Sequence, residues 1–325
     1  MTVQSLLDEI EALIEKELDS LDALTKANYL ARRKAILAGT RDLWDLAAIP
    51  AKKDATIGNV TYVSKAEAFK YGRMDKLNDL ITEQARLGAM VDISNLEVGG
   101  VKIYATQYDG YAWAYKEGYG LPLTGGVKIP LVSEALYDDF YGKAFDQTVR
   151  DNLGSYADNV LSTVTRELNQ GSSYAKIAEK LTGVTDKAFN KALTVARTEA
   201  GRIQSQAYVD SLLLLDDLGV KYGKMWLSTV DSKTRPSHIA MDGEEADKDG
   251  VFHLSDPQAT GAAPRMTGVG SHDINCRCRA VTIIDGVKPS ERRIRGEGIV
   301  PFETFKERLA RGGSVPVSAV KKARK

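Results

Sequence analysis

Cysteine and histidine are scarce in this 325-residue chain, with two of the first and three of the second. Two cysteines cannot staple a small loop-rich fold, so stability must come from a packed core. No run approaches the roughly 20 apolar residues that a bilayer-crossing helix needs, and no membrane partner is expected. Met1 to Ile10 carries acid and no basic run, so a secretory signal is not expected and the chain is expected to be made and kept in a cytoplasm. Net charge is missing too: forty-four Lys/Arg stand against forty-four Asp/Glu, which removes any whole-molecule attraction to nucleic acid. The length suits two or three domains with a sizeable core.

The scarce residues are clustered. All three histidines and both cysteines lie between His238 and Cys278, about an eighth of the sequence. The same interval holds Asp231-Ser-Lys-Thr-Arg-Pro-Ser-His238, Asp242-Gly243 and Asn275-Cys-Arg-Cys278. Side chains that bind metals, titrate near neutrality and hold sharp turns are concentrated there.

Periodicity predicts an α+β fold: a mainly helical N-terminal region, then a small α+β module with short antiparallel strands. Apolar residues at three- and four-residue steps predict one or two helices over 5–46. Such a segment is either an interaction arm or core padding. Helical periods continue from Pro50 to about Asn95. Val91–Tyr104, β-branched and centred on Gly99-Gly100, predicts a hairpin or loop. Tyr108, Tyr111, Tyr115 and Tyr119 then recur at helical steps, a stripe suited to core packing or to a partner interface. The cluster from Gly118 to Gly126 opens a loop ending at Pro130, and helix resumes over 133–153. Tyr156, Val160, Val164 and Leu168 mark a further helix, with Gly171 placed to cap it. Ser172 or Ser173 is expected to start a short helix closed by Gly183, and Thr185-Asp186 a long one ended by Gly219. Its Ala192, Ala196, Ala200 and Ala207 form a thin face. Strands are expected over 220–230 and 251–254, with a Gly/Pro loop over 255–271. The alternation of Ile274–Ile284 puts both thiols on one face and both arginines on the other.

Charge is uneven at the end: residues 286–325 hold eleven Lys/Arg against four Glu. This basic tail is expected to be partly disordered, with Lys321, Lys322, Arg324 and Lys325 as candidate contacts to double-stranded DNA. The resulting division is 1–145, 146–285 and 286–325.

Five elements in fixed order carry a resemblance. They are Gly171-Ser-Ser-Tyr-Ala-Lys-Ile177-Ala178 with Leu181; Ala196-Arg197-Thr198-Glu199; Trp226; Asp231-x-x-Thr234-Arg235-x-x-His238 with Asp242-Gly243; and His272-x-x-Asn275-Cys276-Arg277-Cys278. Through them the chain resembles the phage head morphogenesis family, the minor capsid proteins like phage Mu protein F, over about residues 146–285. It departs in an insertion-like segment (Gln258–Val269) and in Asp273-Ile274, where a proline is the expected residue. The resemblance implies a non-enzymatic role: assembly in the host cytoplasm, then few copies in the virion near the portal vertex, touching the portal protein, the major capsid protein and, in some relatives, the packaged DNA. Some relatives carry a toxin domain after this module; some 40 residues follow Ile284 here, so the plain head-assembly form is expected.

The remaining readings concern chemistry. Arg197 and Glu199 point about 200° apart on a helix, so each needs a partner elsewhere; a buried bridge to Asp231 or Arg235 is expected. Asp231 can bond its own turn, Pro236 keeps Arg235 extended, and Asp242-Gly243 suits a tight turn. His238, His272, Cys276 and Cys278 form a candidate Cys2His2 zinc set, set against simple burial of free thiols, with no cofactor as the base expectation. A metal-dependent nuclease of the ββα kind could be assembled from His238, Asp242, His272 and Asn275, but no helix follows Cys278 to supply its second ligand. That enzyme, or another toxin-like one, is the alternative class.

Overall fold

The fold is known from a computed structural model. It describes residues 3–47, 56–57, 60–61, 73–123, 126, 129–138, 142, 144–170, 172–255, 257–294, 297–313 and 315. In chain order these form α1 (Val3–Ala47), β1 (Thr56–Ile57), β2 (Val60–Thr61), α2 (Arg73–Tyr119), α3 (Ile129–Tyr137), α4 (Phe145–Asn169), α5 (Tyr174–Asp217), β3 (Tyr222–Leu227), α6 (Pro236–Met241), β4 (Phe252–Leu254), β5 (Ala259–Gly261), α7 (Gly270–Asp273), β6 (Arg279–Ile284), β7 (Glu291–Ile294), β8 (Gly298–Pro301) and α8 (Phe305–Ala310). Helices come first and short antiparallel strand pairs follow, an α+β arrangement. The chain divides into two compact units that interleave along the sequence rather than following the blocks 1–145, 146–285 and 286–325. One comprises 1–19, 98–142 and 197–325; the other comprises 20–97 and 143–196.

The second unit is helical, apart from the β1–β2 pair. Tyr156, Val160 and Val164 are buried, as their four-residue spacing predicts. Gly171 lies outside the described residues. Ser173 does cap α5, accepting from the Lys176 amide. Two helices were expected here, yet α5 runs unbroken through Gly183. Thr185 explains it: its hydroxyl donates to the Leu181 carbonyl one turn back, acting inside a helix instead of starting one. A single glycine costs a helix about 1 kcal/mol, too little to break one of 44 residues.

A polar cluster is sealed in this unit. The Asn28 amide donates to the Asp92 carboxylate, and Asp92 is 5% exposed. Burial raises the Asp92 pKa to about 6, against the lowering effects of Asn28 and Arg32. A carboxyl whose folded pKa lies above its unfolded one binds protons more tightly when folded. Its contribution is therefore fully present below about pH 4 and is lost as pH rises through about 6. Stability should fall by on the order of 2–3 kcal/mol across that window. Asp92→Asn should flatten this part of the profile, measured by urea unfolding at a series of pH values.

The first unit seats the strands. Gly99-Gly100 is no hairpin: both residues lie within α2. A Cβ on Gly100 would stand 2.7 Å from Leu136 Cδ2 and 3.0 Å from Ile203 Cδ1, so the glycine serves close helix packing. Helix α3 ends where Arg202, itself buried, donates to the Ala135 carbonyl at 2.7 Å and satisfies a C-terminal acceptor. The expected helix over 133–153 is two helices, α3 and α4.

Tyr108, Tyr111 and Tyr115 are buried in this unit, while Tyr119 is partly exposed. The first three are therefore interior residues, which corrects the expectation of a partner interface. Their polar tips have inward work: the Tyr111 hydroxyl donates to the Ala280 carbonyl, and Tyr115 bonds the Thr282 hydroxyl at 2.7 Å. The stripe is the bed on which β6 lies. Arg279, at the start of that strand, reaches Asp8 of α1 at 3.0 Å.

Strand β6 pairs antiparallel with β3 from Tyr222↔Ile284 to Leu227↔Arg279. On the other side of β3, segment 243–246 adds backbone bonds: Gly243 N–H to Trp226 O, Trp226 N–H to Glu244 O and Ala246 N–H to Lys224 O. β4, the strand expected over 251–254, pairs antiparallel with β5, which lies inside what the sequence suggested was irregular loop. The expected strand over 274–278 is instead a turn, with Asn275 at φ +55°; regular strand starts at Arg279.

The tail expectation fails over 286–313. These residues fold into the β7–β8 hairpin and α8, whose Thr304 and Glu307 form a capping box. Most of the basic charge there is paired: Arg292 with Asp242, Arg293 with Glu15, Lys288 with Glu245, Arg308 with Glu297 and Glu303, Arg311 with Glu303. Lys321, Lys322, Arg324 and Lys325 lie outside the described residues.

Candidate metal centre

Two turns bring the clustered residues together. In the first, the Asp231 carboxylate accepts from the Lys233 amide at 2.9 Å, the self-bonded turn that its sequence predicts. Arg235 is extended (φ −67°, ψ 147°) before Pro236, which opens α6. His238 follows on that helix and is 1% exposed. In the second turn, α7 delivers His272, and the chain then bends at Asn275 to present Cys276 and Cys278, both buried.

The turns are clamped to each other. Arg277 pairs with Asp231, and the Arg235 guanidinium donates to the carbonyls of His272 and Ile274. Glu199 does not reach Asp231 or Arg235 as expected: it pairs with Arg202 at 3.0 Å, one helical turn on. Burial raises the Glu199 pKa, opposed by Arg202. The link from α5 to the cysteine turn is Thr198, whose hydroxyl accepts from the Asn275 amide at 3.1 Å. Its position between Arg197 and Glu199 was visible, but a threonine carries no charge to advertise a long-range partner.

His238 Nδ1 stands 3.4 Å from Cys278 Sγ and 3.6 Å from Cys276 Sγ. Its Nε2 faces His272 Nδ1 at 3.2 Å, and His272 Nε2 faces the Pro257 carbonyl at 2.7 Å. A carbonyl can only accept, so His272 carries its proton on Nε2. With neutral rings, His272 Nδ1 then accepts from His238 Nε2–H. That leaves the lone pair of His238 Nδ1 aimed at both thiols. His238, Cys276 and Cys278 place three ligand atoms within 4.8 Å of one another. His272 meets the opposite nitrogen of His238, so the expected Cys2His2 set is corrected to Cys2His with a histidine behind it. The two thiols are unequal. Burial raises both, but the bond to Cys276 carries the Cys278 pKa well below its ordinary value, while burial and Cys278 push Cys276 up.

Trp226, fully buried, packs edge-on against His238 and against Phe252, each at 5.4 Å between centroids. Asp273 is buried and accepts from the amide and hydroxyl of Thr267, which fastens the Gln258–Val269 segment. A proline at that position would forfeit these bonds.

Beside this centre lies a pair that the sequence did not suggest. Asp242 accepts from the Ser228 amide at 2.6 Å, the Phe305 amide at 2.6 Å and Arg292 Nη1 at 2.7 Å, with side-chain exposures of 0% for Asp242 and 3% for Arg292. The following Gly243 has φ +85°, where a side chain would be strained. Of the residues of the nuclease alternative, His238 and His272 are each 1% exposed and Asp242 3%, while Asn275 is exposed.

Residues 158–281 match the family model described as Phage Mu protein F like protein. The chain is 27% identical over 296 residues to minor head protein GP7 of Bacillus phage SPP1, covering 89% of this chain and 88% of that one. It is 28% identical over 284 residues to NAD(+)-arginine ADP-ribosyltransferase EFV of Enterococcus faecalis, covering 84% of this chain. It spans 55% of that relative's length. An uncharacterized protein of Haemophilus influenzae is 23% identical over 154 residues, 47% of this chain and 30% of that one. No solved structure matches. With the Mu F-like segment holding the clamped turns and the likeness to GP7 running nearly end to end, the chain is similar to the phage head morphogenesis family.

Proposed function

We propose that the chain is a non-enzymatic minor component of a tailed-phage head that docks on the portal protein and the adjoining coat shell during assembly. The observation that carries this reading is the inward commitment of four carboxylates of the module. Asp231, Asp242, Asp273 and Glu199 are each tied to a partner in the same unit. Groups spent on holding turns make a rigid docking part, whereas catalysis needs groups held ready for a substrate. Exposed Leu87, Met90 and Val91 on α2 offer apolar area of the kind that partner surfaces use. Lys321, Lys322, Arg324 and Lys325 supply a basic end for packaged DNA.

Coexpression of the full chain with the portal protein of its own phage tests this. The two should copurify through size exclusion at a fixed ratio, and Met90→Glu should lower the yield of complex while leaving the chain folded. A portal that elutes alone in every preparation contradicts the reading. The Enterococcus relative's name favours a second reading, transfer of ADP-ribose from NAD(+) to arginine. Incubation of the purified chain with labelled NAD(+) and an arginine-rich acceptor should leave the acceptor unlabelled; labelling would establish that second reading instead.

A further inference from the structure

We propose that His238 Nδ1 and the thiolates of Cys276 and Cys278 hold one zinc ion, with His272 as the hydrogen-bonded residue that orients His238. Geometry is the first support. Tetrahedral zinc with Zn–S of about 2.3 Å and Zn–N of about 2.0–2.1 Å separates a nitrogen and a sulfur ligand by about 3.5–3.6 Å. The two distances from His238 Nδ1 are 3.4 and 3.6 Å. The donors come from two turns fixed to each other by Arg277–Asp231 and by Arg235, which hold the ligand atoms close together.

The hydrogen-bond relay is the second support. Histidines that bind metals donate their other ring N–H to an acceptor, which fixes the tautomer and strengthens the ligand. Here Pro257 O fixes His272, and His272 Nδ1 in turn accepts from His238 Nε2–H. Only one tautomer of His238 satisfies that relay with neutral rings, and it leaves Nδ1 free to coordinate. Charge is the third. Two thiolates and one Zn2+ sum to zero, so the loaded centre brings no net charge into a site whose three residues are 1%, 4% and 2% exposed. Binding exchanges thiol protons, released to solvent, for two Zn–S bonds; nothing is oxidised or reduced. Three protein ligands leave a fourth position for water. Trp226, packed edge-on against His238, adds an apolar wall.

The test uses the full chain, purified without chelator and desalted. Elemental analysis should find about one zinc per chain. Thiol titration of the native protein should show both cysteines unreactive until a chelator is added. Cobalt replacement should give a thiolate-to-cobalt charge-transfer band and the intense visible bands of a tetrahedral ion. Cys278→Ser and His238→Ala should lose the metal, and His272→Gln should keep it with affinity lower by about 10–100-fold. The wild-type measurements decide the matter even if a variant fails to fold. Wild-type protein that cannot be loaded with zinc overturns the proposal, as does a mass two hydrogens short from a Cys276–Cys278 disulfide. Zinc retained by folded Cys278→Ser overturns the ligand assignment. Unchanged affinity in His272→Gln overturns the role given to that ring.

Discussion

Asp242→Ala should destabilise the chain by about 3–5 kcal/mol, the usual cost of breaking a buried ion pair from one side. The carboxylate binds the Ser228 and Phe305 amides and the Arg292 guanidinium, all out of water. Its removal strands a buried cation, which also donates to the Ser228 and Glu303 carbonyls and lies over the Phe302 ring at 5.5 Å. The cost comes mainly from the uncompensated arginine. Replacing both residues, Asp242→Ala with Arg292→Met, should therefore cost less than the two single changes summed, by on the order of 1–3 kcal/mol. Urea unfolding of the four proteins closes the cycle. Strict additivity would mean the pair does not act as one unit.

Trp226→Ala should cost a similar amount, about 3–5 kcal/mol, by the loss of a large buried ring and the cavity it leaves. The indole fills the space between His238 and Phe252, and its N–H donates to the Ser228 hydroxyl at 3.2 Å. Trp226→Phe keeps most of the ring contact and loses only that donor. Its expected cost is less than half as large, read from the same unfolding curves. Equal costs for the two variants would place the importance of Trp226 in its hydrogen bond and not in its packing. Both substitutions act on the wall between β3 and α6, so Trp226→Ala should also speed amide exchange at His238 and Ile239.

Much of this was readable from residues alone. Turn chemistry was the most legible, because the Asp231 turn, the extended Arg235 and the Gly243 turn are each fixed by two or three neighbours. The tyrosine spacing gave the buried face of α2 correctly. What it could not give was the object against which that face packs, which is strand β6, roughly 170 residues away in the chain.

The misreadings share one cause: local preference was followed where distant packing decides. Gly99-Gly100 and the β-branched residues around it favour a turn, yet the stretch is helix, with Gly100 packed closely against Leu136 and Ile203. Gly183 looked like a stop and is merely an exposed helical residue. The strongly basic stretch after Gly286 looked like a solvated tail. Arg292 and Arg308 are 3% exposed, because their acidic partners at Asp242, Glu297 and Glu303 satisfy them. Charge counting cannot tell a paired arginine from a free one. The structure does bring His238, Cys276 and Cys278 together, with His272 behind His238. Which ring nitrogen faces which sulfur depends on the Pro257 carbonyl, and nothing in a linear pattern points to it.

Mass spectrometry of gradient-purified heads, assembled from the full set of head proteins of the parent phage, tests the central claim most directly. A structural part should appear in those heads at a few copies each and stay through high-salt washing. Heads that purify complete without it, alongside chain left wholly in the soluble fraction, would contradict a place in the particle.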